Sequence, residues 1–317
     1  MYIYALTLVF LFGACQRLLE TGKQDTGKKD TGINDTGKQV DSTIKDTAVD
    51  SDKIDTSDTG DIITPPLSFY AVHFIDVGQG DAALITVDDQ NILVDCGETD
   101  KGDEVVAYLQ KQGITTLNYL LVTHGHSDHL GGCSSVLENF SVEAFWDNGE
   151  EYTTATYRDT MDMVDPAIYH SAQLGDSLKL GEAQITILHS GSDYPSDDEN
   201  NNSIVFKLSL GESGLLMTGD CEAGCETETI NNSNSLGISL LSEILKVPHH
   251  GSSDSSTKEF LDEVLPQLAV ISVGDEYGLP DKEAIKRLQA AGAEVLTTYE
   301  NGTMVITADA SGKYYLQ

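Results

Sequence analysis

Basic side chains are scarce: the 317-residue sequence has 18 Lys and Arg against 52 Asp and Glu, a formal net charge of −34. Residues 1–61 hold 7 of the basic and 11 of the acidic residues, so about −30 falls on the remainder. Such a surface repels polyanions at long range and offers duplex DNA no basic groove. Cysteine is sparse as well. Of five, Cys221 and Cys225 are a close pair in what reads as a Glu/Gly/Thr-rich loop, and without a second pair they cannot build a zinc knuckle. The apolar run at residues 1–15 is too short to span a bilayer as a helix. Between Glu20 and Gly60 aromatics are absent and aliphatics few, so nothing offsets the entropy of ordering that stretch.

What the chain does have is 39% hydrophobic residues, enough for a sizeable core in one large domain or two small ones. It also has a concentration of metal-binding residue types. Thr123-His124-Gly125-His126-Ser127-Asp128-His129-Leu130-Gly131-Gly132 follows directly on the apolar run Leu117–Val122. Five of the eight histidines lie in this loop or in the pair His249-His250. A loop at a strand end can point His124 and His126 the same way and send Asp128 and His129 to a neighbouring position, and imidazole nitrogens and a carboxylate are the donors that a zinc-like cation takes.

Strands are expected at Phe69–Asp76, Ala82–Val87, Asn91–Asp95, Leu117–Val122, Val142–Trp146, Gln184–His189, Ser203–Leu210 and Gly214–Thr218, and again at Ile244–Val247, Leu268–Val273, Glu294–Thr298 and Thr303–Thr307. Helices are expected at Asp103–Gln112, Cys133–Phe140, Tyr152–Val164, Lys258–Leu265 and Lys282–Ala291. Strands and helices mixed through both halves suit an α/β architecture, two sheets face to face with helices outside.

The H-x-H-x-D-H motif resembles the metal-binding signature of the metallo-β-lactamase superfamily. Flanking segments are similar to the branch related to the hydrolase domain of the bacterial DNA-uptake (competence) channel protein. They are Val72–Ala82 with Gly78-Gln79-Gly80-Asp81, Leu93–Gly97, Asn201-Asn202-Ser203, Met217–Asp220 and Pro248-His249-His250-Gly251-Ser252. The resemblance covers residues from about Phe69 to the C-terminus and implies a four-layer αβ/βα sandwich with the site along one edge.

It also implies roles. His124 and His126 hold one divalent ion, Asp128 and His129 the other, Asp220 bridges and His249 completes a shell. The ions are zinc or manganese, one or two per chain. His250 is a second ligand, a proton carrier or a substrate contact, and Asp128 orients a metal-bound hydroxide. Asp95 orients a metal histidine from behind, while Asn202 and Ser203 either hydrogen-bond substrate oxygens or cap a strand. His189 is read as structural. Where close relatives carry Gly-His-Pro, this chain has Gly278-Leu279-Pro280, and Leu279 cannot be a ligand, which leaves occupancy of both metal positions open.

The expected activity is metal-dependent hydrolysis of a small phosphodiester, with duplex DNA disfavoured by charge. The rivals are a β-lactamase or thioester hydrolase, and a non-catalytic surface binding protein whose site has decayed. Residues 1–15 end in Gly13-Ala14-Cys15, similar to a bacterial lipobox, although no Lys or Arg precedes the apolar run. The expected organisation is therefore a lipoprotein signal to Cys15, an unstructured tether over 16–66 with Asp-Thr-Gly repeated at a five-residue pitch, and the hydrolase domain over 67–317. The only membrane contact is the lipid anchor, and the protein faces the periplasm or the cell exterior. In that setting Cys221 and Cys225 are expected as a local disulfide. Cys96 and Cys133 are read as small buried residues, and His73, His170 and Trp146 as core or surface.

Overall fold

The computed structural model describes residues 68–191, 199–275 and 277–317. Cys15 and the Asp-Thr-Gly repeat lie outside the described residues. Among those described, the strands in chain order are β1 (Phe69–Phe74), β2 (Ala83–Val87), β3 (Gln90–Val94), β4 (Thr116–Leu121), β5 (Ser141–Asp147), β6 (Tyr169–Ser171), β7 (Ser177–Leu180), β8 (Ala183–His189), β9 (Val205–Leu210), β10 (Ser213–Met217), β11 (Ile244–Lys246), β12 (Leu268–Ile271), β13 (Glu294–Thr297), β14 (Met304–Asp309) and β15 (Tyr314–Leu316). The helices are α1 (Gly102–Lys111), α2 (Ser127–Leu130), α3 (Cys133–Asn139), α4 (Ala155–Met161), α5 (Ala223–Leu236), α6 (Lys258–Val264), α7 (Lys282–Ala290) and α8 (Thr298–Asn301). None is long and apolar enough to cross a membrane.

The strands form two sheets, ordered β15-β14-β1-β2-β3-β4-β5-β6 and β13-β12-β11-β10-β9-β8-β7. Each begins as antiparallel neighbours and continues as parallel strands, β3 to β6 in one and β10 to β13 in the other. The period-2 alternation of strand side chains sorts the core into three clusters. Ile85, Ile92, Val94, Phe206, Leu208, Leu215 and Val270 meet between the two sheets. Their neighbours Leu84 and Leu93 point to the opposite face of the first sheet, onto Val105, Leu109 and Val136 of α1 and α3. Leu216, Leu245 and Ala269 point outward from the second, onto Phe260, Leu261 and Leu288 of α6 and α7. Helix, sheet, sheet, helix is the four-layer αβ/βα sandwich.

The structure differs from the sequence reading in detail. The helix expected over Tyr152–Val164 shortens to α4, started by Thr154, whose side chain accepts from the Tyr157 N–H. The Cys221–Cys225 stretch is the entry to α5, not a loop. Cys221 and Cys225 are bonded to each other. Cys96 and Cys133 are buried as expected but are also joined in a disulfide, which ties the loop after β3 to the first residue of α3.

Parallel strands end on a common edge, and this is what places the site. β3 delivers Asp95, β4 the His124–His129 loop, β10 delivers Asp220 and β11 the histidine pair. β9 runs the other way, so its entry, Asn202 and Ser203, lies at the same edge.

Candidate metal centre

At that edge Asp128, His129, Asp220 and His250 bring one donor atom each within 4.8 Å of one another. His129 Nε2 is 3.3 Å from Asp220 Oδ1, and His250 Nε2 is 3.2 Å from Asp128 Oδ2 and 3.4 Å from Asp220 Oδ2. Two donors on one tetrahedral zinc at 2.0–2.1 Å stand roughly 3.3 Å apart, so these spacings leave room for one ion between the four groups. His129 Nε2 and Asp220 Oδ1 are buried without a hydrogen-bond partner, the condition that a cation relieves. These residues fit divalent metal.

The histidines are aimed from behind. His129 Nδ1 is 2.9 Å from Asp95 Oδ2, and His250 Nδ1 donates to the Ser272 carbonyl at 2.8 Å. Each bond takes the Nδ1 proton and turns Nε2 to the cluster. Asp95 is itself fixed: its Oδ1 accepts the Thr123 N–H at 2.7 Å and its Oδ2 the Thr123 hydroxyl at 2.9 Å. Burial pushes the Asp95 carboxyl up, with His129 opposing. Burial also opposes charge on Asp220 and Asp128, yet the imidazoles of His129 and His250 outweigh it and hold both carboxyls well below the usual range. In turn the carboxylates raise His129 far above its ordinary value and His250 to about 10, against the effect of burial.

His124 and His126 stand beside this group. His124 Nε2 faces His126 Nδ1 at 3.0 Å, again close to the separation of two donors on one ion, and the His124 ring lies 4.2 Å from that of His129. Burial first, then the positive charge of His129, drives His124 well below its ordinary value, so it stays a neutral donor. The outer nitrogen of His126 reaches Glu199 at 2.9 Å.

The structure brings His250 to the cluster and sets His249 apart. Both adopt the left-handed backbone, φ 48° and 49°, which turns the two rings in different directions. His249 Nδ1 lies 3.0 Å from Glu222 Oε1, and its Nε2 is 3.3 Å from the Asn200 side-chain nitrogen. His189 is buried, with Nδ1 on the Ser203 carbonyl at 2.9 Å and Nε2 3.0 Å from Glu228. Ser203 Oγ accepts the Asp220 N–H at 3.0 Å and so fixes the turn that carries Asp220. Asn202 is buried and its carbonyl accepts from Asn148. His73 hydrogen-bonds Tyr108, and His170 stacks on Trp146.

Two further residues complete the back of the site. Asp81 packs 3.8 Å from His129 Nδ1 and 3.7 Å from His250 Nδ1, and forms an ion pair with Lys246, a lysine only 1% exposed. Lys246 Nζ also reaches the Gly219 carbonyl at 3.3 Å, next to Asp220. A lysine inside the apolar strand Ile244-Leu245-Lys246-Val247 was the sequence signal for such a pair, because a buried charge needs a partner. Gly80, at φ 122°, lets the loop before Asp81 pass against the Asp128 carbonyl, a space that any Cβ would fill. In front, a cleft of about 590 Å³ opens onto Asp128, Asp220 and His250, walled by His126, Tyr277 and Leu279 among others.

Comparison with known proteins agrees with this architecture. The sequence profile of the Metallo-beta-lactamase superfamily matches residues 75–275. ComE operon protein 3 of Bacillus subtilis strain 168 is 27% identical over 260 residues, covering 74% of this chain and 32% of that protein. Recombination protein 2 of Haemophilus influenzae is 30% identical over 247 residues, covering 74% of this chain and 28% of that protein. The chain thus spans less than a third of the length of either relative. Among solved structures, the metallo-beta-lactamase fold protein YhfI from Bacillus subtilis superposes with a TM-score of 0.50 at 14% identity, over 79% of this chain and all of that one.

Proposed function

The chain belongs to the metallo-β-lactamase superfamily, and within its metal-dependent hydrolases we propose that it is an exported phosphodiesterase acting on small diesters. The observation that carries the reading is the cluster of Asp128, His129, Asp220 and His250 at the floor of an open cleft. His250 would be the fourth ligand beside Asp128, His129 and Asp220, while His124 and His126 would hold a second ion. Zinc suits this nitrogen-rich set best, with manganese the alternative.

When bound, a divalent ion supplies Lewis acidity, lowering the pKa of a water to about 7 and stabilising charge on a phosphoryl oxygen. The chain's own part is to keep its donors bare and aimed. Asp95 and the Ser272 carbonyl do so by accepting the Nδ1 protons of His129 and His250. Asp128 opens onto the cleft, where its carboxylate would accept a hydrogen bond from the attacking water. His249, which lines the cleft with Nδ1 3.0 Å from Glu222, would hydrogen-bond the departing oxygen.

Charge selects the size of substrate. A domain near −30 repels each successive phosphate of a long polyanion, whereas a small diester meets mainly the local field of the site. Export is supported by the two disulfides, which persist in oxidising compartments. On this reading the domain over 67–317 is carried by a tether anchored through lipidated Cys15.

The test is a salt series on three substrates with metal supplied: a chromogenic phosphodiester, duplex DNA and a chromogenic lactam. The diester should turn over. DNA should be slower and should gain as salt screens repulsion beyond about 10 Å. DNA cleavage that is fast and falls with salt would refute the charge argument, and lactam turnover without diester turnover would refute the phosphodiesterase.

A further inference from the structure

One wall of the cleft is apolar and is not used by the hydrolytic residues. Tyr277 is 80% exposed and Leu279 is partly buried against the core cluster beneath the second sheet. Tyr277 has φ 57°, a conformation unfavourable for a bulky residue, and with so little of it buried its own packing contributes nothing to offset that. Strain held at a cleft mouth is a reason to look for function there.

The segment is also fixed in place against the histidine loop. The Asp281 N–H donates to the Gly251 carbonyl at 2.9 Å, and Asp281 Oδ2 accepts the Ser253 N–H at 2.8 Å. Gly251 lies so close to Pro280 that an added Cβ would stand 2.6 Å from the proline ring. Pro280 and Asp281, and with them the adjoining Leu279, therefore keep a set position relative to His250. Among the described residues that line the cleft there is no lysine or arginine, while Glu98, Asp128 and Asp220 are acidic. A second negative group on the substrate, away from the metal position, would find no lysine or arginine to meet it.

We infer that Tyr277 and Leu279 are specificity-determining residues that receive the arm of the diester not released in the reaction, and that this arm is a planar, uncharged aromatic group. The inference rests on the phosphodiesterase reading and names its substrate class. An aromatic face stacks on such an arm without regard to its exact identity. Leu279 supplies the apolar edge.

The test uses diesters that share a 4-nitrophenyl leaving group, so that water adds to phosphorus and 4-nitrophenolate departs in every case. The second arm is phenyl, methyl or 4-carboxyphenyl. The zinc-loaded protein should favour phenyl over methyl at least tenfold in kcat/KM, and phenyl over 4-carboxyphenyl by a similar factor. Tyr277→Ala should bring the phenyl-to-methyl ratio to within twofold, through a higher KM for the phenyl diester. Tyr277→Phe should keep the ratio. A wild-type ratio within twofold, or an equal ratio in Tyr277→Ala, would overturn the inference while leaving the phosphodiesterase intact. If no diester is hydrolysed, the phosphodiesterase reading falls, and calorimetry with unreactive diphenyl phosphate decides the wall separately. A Kd about tenfold weaker in Tyr277→Ala would sustain it, and equal Kd values would end it.

Discussion

Asp95 Oδ2 lies 2.9 Å from His129 Nδ1, so one buried carboxylate decides which nitrogen of a ligand histidine is bare. An amide there can still accept the Thr123 N–H through its oxygen, but its NH2 group then faces His129. His129 would have to accept at Nδ1 and carry its proton on Nε2, the atom aimed at the cluster. Asp95→Asn should therefore weaken metal binding about 10–100-fold with the fold retained. Competition against a chromophoric chelator measures it, and unchanged affinity would mean that Asp95 serves only to hold Thr123.

The two adjacent histidines should separate cleanly. His250 Nε2 faces Asp128 and Asp220, whereas His249 pairs with Glu222. His250→Ala should lose metal on dialysis, and His249→Ala should keep its stoichiometry but lose most of its turnover. Elemental analysis of the two variants decides this. Loss of metal from His249→Ala alone would restore the assignment that the sequence suggested.

How much was legible in the sequence follows from what each residue's signal depended on. The sandwich could be read because its central strands are short apolar runs, some buried throughout and some alternating, with helical segments spaced between them. β6, β7 and β15 could not, being three- or four-residue edge strands with one apolar face at most. Nor could α5: Ala223–Leu236 is rich in Asn, Ser and Thr, weak helix formers, and is held by the Cys221–Cys225 bond and by Asn232 Nδ2 on the Leu188 carbonyl. At the site, the six-residue motif identified itself by composition. The choice between His249 and His250 turned on two left-handed residues, and the Cys96–Cys133 bond on a contact between β3 and α3. Neither has a local signature.

The disulfides should contribute unequally. Cys96–Cys133 closes 37 residues and Cys221–Cys225 only 4. Loop-closure entropy gives about 3–4 kcal/mol for the first and about 2 kcal/mol for the second. Denaturant unfolding of the two double Cys→Ser variants should show the larger loss for Cys96/Cys133, and the reverse order would place the stabilisation in α5 instead.

Asp147 gives a pH signature away from the metal residues. Burial pushes its carboxyl up to about 6, against hydrogen bonds from the Gly149 N–H and the Tyr169 hydroxyl. A folded value above the unfolded one means that the native state holds the extra proton. Its contribution is complete below about pH 4 and is lost as pH rises through 6. Asp147→Asn should be more stable than wild type at pH 7.5, by about 1–3 kcal/mol, relative to their difference at pH 4. Urea titrations at the two pH values test this, and a constant difference would show that Asp147 is ionised in the native protein without cost.

The central claim is that Asp128, His129, Asp220 and His250 hold a divalent ion for phosphodiester hydrolysis. It is tested most directly by stripping the protein with chelator and following bis(4-nitrophenyl) phosphate hydrolysis while zinc or manganese is titrated back. The rate should start at background and rise to a plateau at one to two ions per chain, and Asp220→Ala should show no plateau in that range. Full activity in the stripped protein, or saturation with metal and no hydrolysis at any ratio, would contradict the account.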